Sequence, residues 1–182
     1  LYLHEPKTNL IMKKLYILKT LIDLLWFFSI IVIATMAIFL PFLFFSPEPM
    51  DIPVRIGEST VTAMDLMTKL FLLGLVIAYC FFVYGLFLFR KVLVLFSKRQ
   101  IFEDAVIVLL NKIGKFFLIA SLIAVSVDFI GKIYIENRFE FGIEGGFFDS
   151  FLFTASLGLF FMVLSEVFAN AKNIKEENDL TI

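Results

Sequence analysis

The fold class this 182-residue sequence predicts is an all-α integral membrane protein: a bundle of four transmembrane helices with a small extracytoplasmic β element. Three observations lead there. Residues 24–45, 70–89, 116–135 and 147–168 are almost free of charge, and each reaches the about 20 residues a helix needs to cross a hydrocarbon core about 30 Å thick. Apolar residues make up 60% of the chain and its mean hydropathy is +0.95, whereas a soluble domain is roughly 45–50% apolar. Lysine and arginine gather on alternate sides of the four stretches, so the formal net charge of -1 conceals a strong asymmetry.

In chain order, residues 1–11 read as a non-native or disordered N-terminal extension and residues 12–182 as one membrane domain. Met12 followed by Lys13 and Lys14 has the form of a translation start ahead of a membrane segment. The first apolar run is 22 residues long and lacks a small-residue cleavage site, so it is expected to be retained as a helix and not removed as a signal peptide. Pro41 has no amide hydrogen and crowds the carbonyl four residues back, which predicts a kink; Ser46, Pro47, Glu48 and Pro49 then stop the helix. Residues 51–61 and 138–143 alternate roughly apolar and polar, the period of a half-buried strand, and predict the β element as a pairing of these two loops. Thr62 and Asp65 form a capping pair for the second helix.

The segment 90–115 is more than a loop. Phe102, Val106, Leu109, Leu110 and Ile113 recur at helical spacing, with Glu103, Asp104, Asn111, Lys112 and Lys115 mainly between them. That pattern predicts an interfacial amphipathic helix or an inward extension of helix three. Within the spans, small residues four apart allow helices to approach closely: Gly74 with Ala78, Ala120 with Ala124, and Ser150 with Thr154 and Gly158. Packing inside the bundle is the simpler reading of these seams than a homodimer face, and the sequence does not specify an oligomeric state.

Charge sets the expected orientation. Twelve basic residues flank one side of the spans: Lys7, Lys13, Lys14 and Lys19, then Arg90, Lys91, Lys98, Arg99, Lys112 and Lys115, then Lys172 and Lys175. Only four, Arg55, Lys69, Lys132 and Arg138, flank the other, where Glu48, Asp51, Glu58, Asp65, Glu136, Glu140 and Glu144 lie. Both termini, the segment 90–115 and the tail 169–182 are therefore expected in the cytoplasm. The basic residues would meet anionic lipid headgroups before any nucleic acid, so the bilayer is the expected partner and direct nucleic-acid binding is not expected.

Site chemistry is sparse. Cys80 is the single cysteine, inside the second span, and His4 the single histidine, in the N-terminal stretch. An intrachain disulfide and a His/Cys metal site are excluded, and a nucleophile with an imidazole base is hard to build. No catalytic residue, metal or cofactor is expected, and the chain is not read as an enzyme. Ionisable residues inside a span are functional candidates by default, but Asp23, Glu166 and Asp149 fall near span ends, where water or headgroups solvate them. Asp128 is different: it lies about 20 Å along the helix from Lys115, and Lys132 follows one turn later as a candidate intramembrane ion pair. A small-solute or ion transporter using Asp128 and Lys132 is the alternative function.

The chain ends in Lys175, Glu176, Glu177, Asn178, Asp179, Leu180, Thr181 and Ile182, with apolar Leu180 and Ile182 set beside acidic neighbours in the manner of a short docking peptide. This ending, preceded by Glu166, Val167 and Phe168, resembles that of the bacterial four-span membrane proteins of domain-of-unknown-function family 2975. A second stretch, Ile101 and Phe102, then Leu109 and Leu110, then Ile113 and Gly114, resembles the family's entry into helix three, although Arg99 and Gln100 stand where a glycine is common. The resemblance implies a protein of the bacterial cytoplasmic membrane without an established activity. It further implies a cytoplasmic transcription regulator of the helix-turn-helix type as a partner, because members are often encoded beside one. The leading expectation is thus a membrane-embedded interaction or regulatory protein that presents its central segment and tail to a soluble partner.

Overall fold

The computed structural model describes residues 5–45, 54–56, 59–61, 66–136 and 147–179. Among them are four helices, α1 (Glu5–Phe45), α2 (Leu66–Ser97), α3 (Asp104–Glu136) and α4 (Phe147–Asp179), and two short strands, β1 (Val54–Ile56) and β2 (Ser59–Val61). All four helices are long and apolar enough to cross a membrane. At 1.5 Å per residue, α2, α3 and α4 are each about 50 Å long, so they overrun a hydrocarbon core of about 30 Å and carry their charged ends clear of it.

Several boundaries differ from the sequence expectation. Residues 5–11, expected to be a non-native or disordered extension, are helical and belong to α1. Pro6 falls in the first turn, where its missing amide costs no hydrogen bond, and helix-forming residues follow it. Pro41 also lies inside α1, which continues to Phe45. Of the two readings of segment 90–115, the inward extension of helix three is the one the structure takes: α2 runs to Ser97, α3 starts at Asp104, and no separate interfacial helix lies between them. The apolar face that suggested one belongs to the core, where Val106, Leu110 and Ile113 are almost fully buried.

Between α2 and α3 the chain reverses through residues 98–103. The amide of Arg99 donates to the Phe96 carbonyl at 3.0 Å and that of Gln100 to the Leu95 carbonyl at 3.0 Å, the pair of bonds that closes a helix through a left-handed residue. Arg99 is that residue, with φ of 60°. The carbonyl of Glu103 accepts from the Val106 amide at 2.9 Å and starts α3, and Asp104 places a carboxylate in its first turn, where the helix dipole favours one.

The strands form an antiparallel hairpin in which Val54 faces Val61, Arg55 faces Thr60 and Ile56 faces Ser59. This short ladder closes within the first loop, and β2 touches α3. The stretch 138–143, expected to pair with it, lies outside the described residues, as do Thr62 and Asp65.

Packing centres on α2, α3 and α4. Leu86, Leu88, Val92, Val106, Leu110, Ile113, Phe117 and Phe161 form one buried cluster. Phe117 lies 5.2 Å from Phe82 and 5.9 Å from Phe161 between ring centroids, and Phe89 lies 5.1 Å from Phe161. α1 packs on α2 and reaches this core through Trp26. Large apolar side chains face outward around the helices, from Ile17 and Phe27 on α1 to Leu122 on α3 and Val163 on α4. In water such a surface would drive aggregation; in hydrocarbon it is the solvent-facing side. Hydroxyls near this surface donate back to their own helix, as Thr35 does to Ile31 and Ser126 to Leu122, which meets lipid's demand that polar groups be satisfied internally.

Candidate functional site

The end of the molecule that holds the α2–α3 turn gathers most of the charge. The last turns of α4 come down beside the start of α3, and Lys172 Nζ donates to Asp104 Oδ1 at 2.7 Å and lies 3.5 Å from Glu176 Oε1. The hydrogen bond to Asp104, reinforced by the charges of Asp104 and Glu176, holds the Lys172 amine above its ordinary range against a smaller opposing effect of burial. Beneath this pair, Phe168 packs on Phe96 at 5.8 Å and on Phe102 at 6.0 Å, joining α2, the turn and α4. One layer deeper, buried Ser165 Oγ donates across to the Ile107 carbonyl at 2.7 Å.

This is the base from which the candidate docking residues project. Lys175, Glu176, Glu177, Asn178 and Asp179 are helical and exposed, in the last turns of α4. Leu180, Thr181 and Ile182 lie outside the described residues. The tail to Asp179 is thus a helical continuation of α4, with Lys172 paired to Asp104 at its base.

Small residues occupy two kinds of place. Gly158 meets Gly114: a Cβ built on Gly114 would lie 2.5 Å from the Gly158 carbonyl oxygen, and one built on Gly158 would lie 2.9 Å from that of Gly114, so the α3 and α4 backbones touch. Gly74 likewise admits Val127, whose Cγ2 would lie 2.6 Å from an added Cβ. The other seam residues do not close together. Ala78, Ala120, Ala124, Ser150 and Thr154 line a cavity of about 200 Å³ between α2, α3 and α4, together with Tyr79, Phe82 and Ser121. Sequence spacing identifies small residues on one face; only the three-helix arrangement shows that these faces leave a gap.

Asp128 is half-buried on α3 and interacts with neighbouring groups, but it does not line this cavity. The Lys132 side chain lies outside the described residues, so the expected ion pair is not placed. Asp23, read as interfacial, has a defined role: Arg90 Nε donates to its Oδ1 at 2.5 Å, and the guanidinium lies over Trp26, 4.1 Å from the ring centroid. This contact fastens α1 to α2. Sequence reading also missed Lys69, counted as a loop residue but buried beside Thr68 in the first turn of α2. Among the described residues no three His, Cys, Asp or Glu side chains come together as a metal site would require.

A family model described as a protein of unknown function, DUF2975, matches residues 23–182. Comparison with curated proteins and with solved structures yields no match. The matched region starts at Asp23 and includes the core cluster, the α2–α3 turn and the tail.

Proposed function

The chain belongs to the DUF2975 family of proteins of unknown function, and we propose that it acts as a membrane-embedded interaction or regulatory partner of a cytoplasmic protein, with no catalysis of its own. The observation that carries this reading is the Lys172–Asp104 contact, which holds the last turns of α4 against α3 and so sets an exposed, acidic helix end at a fixed position. A tail that served only to end the chain would need no such fastening. The basic residues at the same end of the molecule support a cytoplasmic placement of both termini in a bacterial inner membrane, within reach of a soluble regulator. A helix-turn-helix regulator, itself basic on its nucleic-acid face, is the partner class that suits Glu176, Glu177 and Asp179.

Crosslinking in native membranes tests this. The full chain is expected to retain a soluble regulator that is lost when residues 175–182 are deleted, and to lose part of it in Asp104→Asn, which frees the helix end. Unchanged recovery after the deletion would overturn the proposal. The transport reading stands second, because Asp128 is a half-buried carboxylate in α3 but the apolar cavity between α2, α3 and α4 is not lined by it. A proteoliposome flux abolished by Asp128→Asn would reverse this order.

A further inference from the structure

We propose that the groove between α1 and α2 is a binding site for an anionic phospholipid, whose phosphate is held by Lys19, Arg90 and Lys91 and whose acyl chain lies against the apolar wall that α2 and α3 give the groove. The proposal rests on the membrane reading of the four helices and is independent of any protein partner.

The groove encloses about 540 Å³, and Lys19, Asp23, Arg90 and Lys91 line it together with Phe87. Three cations thus share a partly lipid-facing recess with one carboxylate. Asp23 is engaged by Arg90 Nε alone, which leaves the paired Nη groups of the guanidinium with no hydrogen-bond acceptor among the described residues. Those groups are the donors that bind phosphate oxygens in a fork. Their plane is held in place by Asp23 on one edge and by Trp26 on the face, so little freedom is lost when an anion binds. Lys91 Nζ sits 4.5 Å from the centroid of the Phe87 ring, and among the described residues neither Lys91 nor Lys19 has an acidic partner. Two positive charges at the edge of hydrocarbon are therefore unbalanced by protein. A phosphodiester supplies the charge they lack.

The rest of the groove's wall is apolar: Phe87, Val94 and Leu95 of α2 and Leu109 of α3 line it beside the charges. A recess at the span end that sets three cations against such a wall fits one class of ligand, an anionic head on a hydrocarbon chain.

The test is native mass spectrometry of the full-length protein released from micelles holding equal amounts of phosphatidylglycerol and phosphatidylcholine. Wild type is expected to retain phosphatidylglycerol preferentially. Lys19→Gln with Lys91→Gln should lower that retention by about tenfold, since each lysine near a membrane surface contributes to anion attraction. These two ammonium groups make no hydrogen bond to the described protein, so the fold is expected to persist, with thermal unfolding as the check. Lys98→Gln with Lys112→Gln removes the same charge from exposed positions outside the groove and should leave retention within about twofold. Equal loss in both double variants would overturn the site in favour of diffuse attraction. Equal retention of the two lipids by wild type would also overturn it, as would displacement of phosphatidylglycerol by inorganic phosphate at comparable concentration, which would identify a soluble phosphate ligand. A dimer without bound lipid would replace the lipid by a second copy of the chain.

Discussion

At the scale of single residues, the geometry makes Arg99 and Lys172 the most exposed to test. Arg99 holds φ of 60° at the close of α2, a conformation in which a Cβ crowds the backbone and glycine does not. Arg99→Gly should raise stability by about 0.5–1 kcal/mol, less whatever glycine adds to the entropy of the unfolded chain, as read from thermal unfolding in detergent. That Arg99 sits in a left-handed helix stop was not visible in the sequence, because the boundary of α2 depends on packing. Lys172 makes a different prediction. Its folded pKa is raised, so while its carboxylate partners are ionised the contact stabilises the fold below the ordinary lysine range and is lost as pH rises through the higher folded value. NMR titration should show the Lys172 side-chain amine titrating above the ordinary lysine range, and Asp104→Asn should bring it back toward that range.

At the scale of helices, the same residue type has opposite consequences according to what faces it. Gly114→Ala would press a methyl group against the Gly158 carbonyl, a backbone atom that cannot move aside, so α3 and α4 must separate at a cost of about 1–3 kcal/mol. Ala124→Val points added volume toward a cavity of about 200 Å³ and should leave stability unchanged or raise it. Unfolding of the two variants side by side separates contact from gap: equal destabilisation would contradict the packing described. In the sequence Ala124 reads simply as a small residue within a span, and Gly114 falls just ahead of one. Ser165 was not distinguished at all, although it lies on the α4 face of Gly158, two turns on, and reaches Ile107, two turns before Gly114. A serine in register with a glycine contact is the signal that could have found it, but its partner on α3 depends on the antiparallel alignment of the two helices.

At the scale of the whole molecule, α2, α3 and α4 share one aromatic core while α1 is fastened at Asp23 and Trp26. Asp23→Asn should therefore loosen α1 without unfolding the remaining helices, which would be seen as faster hydrogen exchange in α1 alone. Because four helices alternate in direction, reporters fused at the two termini should appear on the same face of the membrane, and the basic residues expect that face to be cytoplasmic. The sequence alone was enough to find four helices long and apolar enough to cross a membrane and to recognise the family, since helix length and hydropathy are local properties that need no partner to be read. The tertiary structure alone decided that the central apolar face is core, that small-residue stripes divide into a backbone contact and a cavity, and that Asp23 binds Arg90 across 67 residues of chain. These depend on which helix faces which and at what level, and hydrocarbon, indifferent to one greasy face or another, leaves that choice to shape and to the few charges that find each other.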